Sequence, residues 1–216
     1  MKYLHLFFCI TSLTATGSSL LCMQCSAVDE SSCIGQERKC PSHDYVCAAT
    51  NTLSIMEGKT FKNFTRTCER RSSCGITGSI GFQKGKIKTA TSCCDADSCT
   101  PSMPLLPSDN GRKTGLTCRS CTSRDSTWCY TEQTIECTGE EDRCILQYAT
   151  ITGSRYSKTA VRGCATKSLC DVGNQYHNFG DLKITRDVTC TSGSSTFHHN
   201  LILFTLTTLF SRLLIL

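Results

Sequence analysis

Apolar residues recur along this chain in two ways: as short alternating runs through its middle, and as continuous runs at its two ends. Between Cys144 and Cys164, the positions Ile145, Gln147, Ala149 and Ile151 fall on one side of an extended strand, and Gly153-Ser154 sits at the midpoint. A period of two around a glycine-containing centre predicts a β-hairpin. The segment 47–68 predicts a second hairpin, centred on Glu57-Gly58. No stretch between the end runs carries a convincing helical period. The pattern therefore predicts an all-β, antiparallel structure with long hairpins.

The end runs read as processing signals. Lys2 is followed by an apolar run from Leu4 to Leu13 and then by small residues. This is the order of a secretory signal peptide, here 1–19 with cleavage after Ser19. The final run, 201–216, is apolar apart from Arg212 and three threonines, and its 16 residues are short for a bilayer span. Before it come small residues, "TSGSS", and a polar spacer, "TFHHN". Small site, spacer and greasy tail form the attachment pattern for a GPI lipid. Ser192 is the expected lipid attachment residue, with Gly193 and Ser194 as neighbouring alternatives, and 193–216 is the expected propeptide. A retained short anchor and a plainly secreted chain are the competing readings. The expected location is the extracellular face of the plasma membrane, or the extracellular medium if no lipid is attached.

Composition explains how such a chain could stay folded. The hydrophobic share of 39% includes 19 cysteines. Without them it falls to roughly 30%, thin for a packed core, so covalent staples are needed. Cys9 leaves with the signal peptide, and eighteen cysteines remain, the even number that full pairing requires. Their positions repeat: adding 96 or 97 to 22, 25, 33, 40, 47, 68 and 74 gives 118, 121, 129, 137, 144, 164 and 170. The chain thus reads as two copies of one module, 20–100 and 116–192. The linker, 101–115, holds three of the four prolines and then Ser108-Asp109-Asn110-Gly111, a stiff half followed by a loose half. Arg112-Lys113 in the loose half is a candidate site for trypsin-like cleavage.

The candidate chemistry is sparse. Cys22-x-x-Cys25 and Cys118-x-x-Cys121 have zinc-like spacing, but a secreted chain favours disulfides. Only His43 and His177 lie between the processed ends, one per module, and no nucleophile–base set assembles around them. No metal, no cofactor and no enzymatic activity are expected. The net charge of +5 falls to +3 when Lys2 and Arg212 leave, too weak to imply nucleic acid. Spacing alone leaves the disulfide connectivity open.

The opening LxCxxC, the closely spaced cysteines, the long hairpin and the closing "CCDADSC" of 93–99 resemble the three-finger family. Its members include the urokinase receptor, the lymphocyte antigen proteins and the snake neurotoxins. Two modules with a shortened second knot, together with "RTCERRSSC" and "GKIKTATSCCDADSC", look most like the gamma-type phospholipase A2 inhibitors. The resemblance implies tandem three-finger modules. In the first it implies the pairs Cys22–Cys47, Cys25–Cys33, Cys40–Cys68, Cys74–Cys93 and Cys94–Cys99. In the second it implies Cys118–Cys144, Cys121–Cys129, Cys137–Cys164 and Cys170–Cys190. Thr100 stands where the family usually has an asparagine that ties the base, and Thr191 follows Cys190 where a final pair is missing, so the second base is expected to be looser.

The remaining candidates are surface features. "CCDADSC" lacks a phospholipase histidine, and Asp95 and Asp97 lack the spaced ligands of a calcium loop. They are expected to face solvent. "KGKIK" puts Lys84, Lys86 and Lys88 on one strand face, either guarding an edge strand or docking an acidic partner. Leu53, Ile55, Met56 and Phe61 surround the tip of the second finger, either packed or serving as a partner-binding anchor. Trp128 is expected to pack beside Cys129. Asn63-Phe64-Thr65 is a glycosylation sequon. The expected function is a GPI-anchored, non-enzymatic receptor or adhesion-type module that binds an extracellular protein. The alternative is an inhibitor of a secreted phospholipase A2.

Overall fold

The computed structural model describes residues 19–179 and 181–192. The first module contributes β1 (Leu21–Val28), β2 (Gln36–Lys39), β3 (Tyr45–Met56), β4 (Lys59–Arg70), β5 (Thr77–Phe82) and β6 (Gly85–Cys94). The second contributes β7 (Lys113–Arg119), β8 (Cys121–Ser123), β9 (Thr134–Thr138), β10 (Glu141–Thr152), β11 (Ser157–Thr166), β12 (Gln175–Phe179) and β13 (Leu182–Thr191). A five-residue helix, α1 (Lys167–Asp171), follows β11, and a single 3-10 turn spans Arg71–Ser73. Five residues are too few to display a helical period, which is why the sequence pattern misses α1.

Both expected hairpins form. β3 and β4 pair from Tyr45–Arg70 to Met56–Lys59. Glu57 and Gly58 close the turn with φ of 51° and 79°. Positive φ at both central residues is what a two-residue hairpin of this hand requires, and glycine meets it without strain. β10 and β11 pair from Glu141–Thr166 to Ile151–Ser157, with an irregularity near Arg143.

Disulfides carry the base of each module. The structure joins Cys22–Cys47, Cys25–Cys33, Cys40–Cys68, Cys74–Cys93 and Cys94–Cys99 in the first. It joins Cys118–Cys144, Cys121–Cys129, Cys137–Cys164 and Cys170–Cys190 in the second. Cys22, Cys40, Cys47 and Cys68 form one buried cluster, and Cys118, Cys137 and Cys164 another. Sulfur thus fills the space that aliphatic side chains fill in larger domains.

The modules are not beads on a string. One sheet of eleven strands runs through both, in the order β12-β13-β10-β11-β5-β6-β3-β4-β1-β2, with β8 also on β11. The crossing from one module to the other is β11 against β5, at Cys164–Gly81 and Ala165–Ile80. Ile80 and Phe82 of the first module share a buried cluster with Ile145, Val161 and Ala165 of the second.

Candidate interaction site at the module junction

Close approach at the crossing depends on glycine. A Cβ on Gly163 would overlap the carbonyl oxygen of Gly81, and one on Gly81 would lie 2.9 Å from a carboxylate oxygen of Glu141. Glu141 itself is almost fully buried. It accepts the Ser79 hydroxyl at 2.9 Å and the Thr138 amide at 3.2 Å, and Lys86 Nζ stands 3.2 Å away. A buried carboxylate needs this much satisfaction. Here the first module supplies the hydroxyl and the ammonium.

Directly paired strand residues share a face, and faces alternate along a strand. On that rule the four second-finger candidates separate. Leu53 and Ile55 pair with Lys88 and Lys86 on one face of the sheet. Met56 and Phe61 belong to the other face, since Phe61 pairs with Ser54. Met56 packs against the inter-module cluster, while Phe61 stays half exposed. The four residues do not form one anchor patch, and this corrects the expectation from sequence. The tip merged two faces because a period of two cannot be seen across a turn.

The lysine strip is also corrected. β6 lies between β5 and β3, so it is not an edge strand. Lys84 sits in the turn before it and faces Glu57 at 3.6 Å. Lys86 and Lys88 are drawn inward to Asp109 of the linker, at 3.7 Å and 2.5 Å, and Lys88 keeps only 6% of its surface. The hydrogen bond from Lys88 holds the Asp109 carboxyl below its usual range. The acidic partner of this strip is the chain itself.

The linker is therefore not loose. Ser92 donates its hydroxyl to the Ser102 carbonyl, and Asn51 donates to the Pro104 carbonyl at 3.2 Å. Beyond Asp109, Gly139 donates to the Arg112 carbonyl at 2.8 Å, and Lys113 starts β7 with its ammonium on Glu136. The Arg112-Lys113 bond is exposed but tied to the second module on both sides, contrary to its reading as part of a loose segment.

Two adjoining cavities open at the junction. One, about 170 Å³, is lined by Met56, Phe82, Ile87, Ala160 and Val161 with Gln147 and Thr159 at its margin. The other, about 420 Å³, is polar and lies beside Gln83, Ser120, Tyr130, Thr131 and Gln133. Glu57, Phe82, Lys84, Thr122 and Arg124 border both. The third-finger turn of the first module is pinned here by the Ser120 hydroxyl, which accepts the Gln83 amide at 2.7 Å. An apolar recess with a charged rim is how a protein surface seats a partner side chain. The sequence reading missed Phe82, Ile87, Val161 and Arg124. Their signal is tertiary, because two modules supply them.

A second contact joins the modules far from this groove. His177 on β12 lies 3.5 Å from Glu69 on β4, both largely buried. These strands are seven places apart in the sheet order. Laid flat they would be separated by roughly 34 Å at the usual strand spacing. The sheet must therefore curl. Burial pushes the Glu69 carboxyl up to about 7, against the pull of Arg186. Burial and then the Arg186 charge push the His177 imidazole down to about 4.

The other candidates lie apart. Trp128 is 54% exposed, with the Arg162 guanidinium 4.8 Å above its ring, so it is a stacked surface residue rather than a packed one. Asp95 pairs with Arg71 at 2.6 Å, and Asp97 accepts the Leu21 amide at 2.9 Å. The closing loop thus ties down the first strand, beside Thr100. Asn63 accepts the Ser26 hydroxyl at 3.0 Å and is partly exposed. The sulfurs of Cys22, Cys40 and Cys68, and those of Cys118, Cys137 and Cys164, cluster closely but are consumed in disulfides. His43 is exposed beside Asp44. The expected signal peptide and propeptide lie outside the described residues, apart from Ser19, and Ser192 is exposed at the end of β13. No helix among the described residues is long and apolar enough to cross a membrane.

The phospholipase A2 inhibitor NAI of Notechis ater is 26% identical over 76% of this chain and 84% of its own. A gamma phospholipase A2 inhibitor of Elaphe climacophora is 27% identical over 79% of this chain and 86% of its own. The mouse urokinase plasminogen activator surface receptor is 28% identical over 82% of this chain, which spans 54% of that receptor. Among solved structures, the crystal structure of mouse TEX101 aligns at 14% identity with a TM-score of 0.34, over 79% of this chain and 98% of that one. The model of the u-PAR/Ly-6 domain matches twice, over residues 18–102 and 114–198, and the chain belongs to that family.

Proposed function

We propose that this protein is a non-enzymatic binding module of the cell surface, carried by a GPI lipid at Ser192 and directed at an extracellular protein. The observation that carries the reading is the junction groove, where an apolar recess and a charged rim meet on a disulfide-fixed frame. A rigid frame limits the entropy lost on docking. The end signals, 1–19 and 193–216, and an N-glycan at Asn63 belong to the same reading. Membership of a family that includes a surface receptor supports it.

The second reading is inhibition of a secreted phospholipase A2, favoured by relatives of that name that match over most of their length. One experiment separates the two. Cells expressing the chain are treated with phosphatidylinositol-specific phospholipase C, and the released protein is used for affinity capture and in a phospholipase A2 assay. Release with capture of a non-phospholipase partner supports the receptor. Slowing of the phospholipase supports the inhibitor. Retention of the 201–216 tail in the mature chain refutes the lipid anchor.

Within the groove, Thr159 is exposed at the margin of the apolar recess. Thr159→Arg should fill that recess and weaken partner binding by about 2 kcal/mol or more, the scale of a hot spot. Phe61→Ser, at a half-exposed second-finger residue that lines neither cavity, should weaken it much less. Binding titrations with both exported variants check this; the opposite order would return the site to the finger tip.

A further inference from the structure

The linker segment between Asp109 and Arg112 is anchored at both ends, and to different modules. Asp109 is held by Lys86 and Lys88 of the first module. The Arg112 carbonyl is held by the Gly139 amide of the second. Between these anchors stand Asn110 and Gly111, both exposed. This is the one Asn-Gly pair of the chain. The Asn110 side-chain oxygen accepts the Arg112 amide at 3.1 Å. A Cβ placed on Gly111 would meet nothing within 4 Å, so its flank is open. The Gly111 amide donates to no group among the described residues.

We infer that Asn110 is a site of spontaneous deamidation, and that its conversion unfastens the linker from the module junction. The Gly111 nitrogen attacks Asn110 Cγ. The N–Cγ bond forms, the Cγ–Nδ2 bond breaks, and ammonia leaves with the proton given up by Gly111. Water then opens the cyclic imide at either carbonyl, giving aspartate or isoaspartate, with no change of oxidation state. Three features favour the attack. The hydrogen bond from Arg112 withdraws electron density from the amide carbonyl. Glycine offers an unshielded nitrogen. Exposure supplies water and an exit for ammonia.

The consequence follows from where the change falls. Isoaspartate adds one carbon to the backbone between two fixed anchors. Either product places a new negative charge next to Asp109, in a segment already committed to two lysines. In isoaspartate the carbonyl that accepted the Arg112 amide becomes part of the main chain, so that product also loses the turn toward Arg112. The tie from Arg112 to Gly139 must then shift or release, freeing the exposed Arg112-Lys113 segment to take the extended form a protease binds.

The test uses the full folded protein, aged at neutral pH and mild temperature, then mapped by mass spectrometry with a method that separates isoaspartate. Conversion should concentrate at Asn110. Gly111→Ala should slow it about tenfold or more, because a Cβ hinders the attacking geometry. Trypsin should cut at Arg112-Lys113 several-fold faster in the aged protein than in the fresh one, and Asn110→Asp should reproduce part of that gain. If Asn110 stays intact in the folded protein while the reduced, unfolded chain converts, the fold protects the pair and the inference is overturned. Conversion without faster cleavage overturns the release.

Discussion

At the scale of single residues, the Glu69–His177 contact raises a question of proton balance. Ionising a buried Glu69 is costly, so its folded pKa of about 7 lies above the ordinary 4.5. Folding then gains stability as pH falls from 7 toward 4.5. His177 works the other way. Its folded value of about 4 lies below 6.5, so stability is lost as pH falls from 6.5 toward 4. The two windows overlap, and their effects offset each other. The unaltered pair should therefore impose little pH dependence of its own. Replacing one partner should reveal the other. Glu69→Gln should lose stability on acidification relative to the parent, and His177→Gln should gain it, by about 1 kcal/mol or more in each case. Denaturant midpoints at several pH values between 4 and 7.5 measure both slopes. Parallel curves for parent and variants would refute the coupling.

Lys88 and Asp109 make a second residue-level case. The lysine is nearly buried, while its aspartate is 59% exposed. Removing the aspartate strands a buried ammonium, whereas removing the lysine leaves a carboxylate that water can solvate. Asp109→Asn should thus cost more than Lys88→Met, by about 1–2 kcal/mol, in thermal or chemical unfolding. Equal losses would mean that Lys88 finds another partner.

At the scale of elements, the junction strands depend on backbone contact more than on side chains. Gly163 and Gly81 let β11 and β5 meet. Gly163→Ala should force them apart and cost about 2 kcal/mol or more, since backbone cannot yield as a side-chain end can. Calorimetry of the variant should show two transitions where the parent shows one; a single unchanged transition would count against the shared sheet as the source of cooperativity. This element scale also shows what the sequence could tell. The hairpins β3–β4 and β10–β11 were legible from alternation and from Glu57-Gly58 and Gly153-Ser154. The module repeat was legible because cysteine spacing is one-dimensional. The groove was not, because Met56 and Phe82 become neighbours of Val161 only when β5 reaches β11. Nor could alternation tell whether β6 lies at an edge, which depends on a strand order that local pattern does not encode. The inward turn of Lys86 and Lys88 follows from partners at Asp109 and Glu141, one in the linker and one in the other module.

At the scale of the whole molecule, the second module has four disulfides and the first has five. Graded reduction should expose amides of the second module first, since each bridge contributes about 2–4 kcal/mol. Hydrogen exchange on partly reduced protein would decide, and earlier exposure of the first module would contradict the expectation.

The end of β13 has a mechanical meaning. Its last residue, Thr191, adjoins Ser192, and the strand pairs with β10 from Cys144–Thr191 to Thr152–Lys183. Suppose a lipid at Ser192 holds the protein to a membrane while a partner pulls on the groove. The load then enters along β13 and crosses to β10 in shear, so that many hydrogen bonds resist together rather than one after another. Within two residues of the tether, Cys190 is fastened to Cys170. Peeling of β13 would stop at that covalent link, and the force would pass into α1 and across to β5 and β11 without tensioning the linker. A protein hauled by its tail would keep its binding groove in shape, with the Pro-rich connection carrying almost none of the strain.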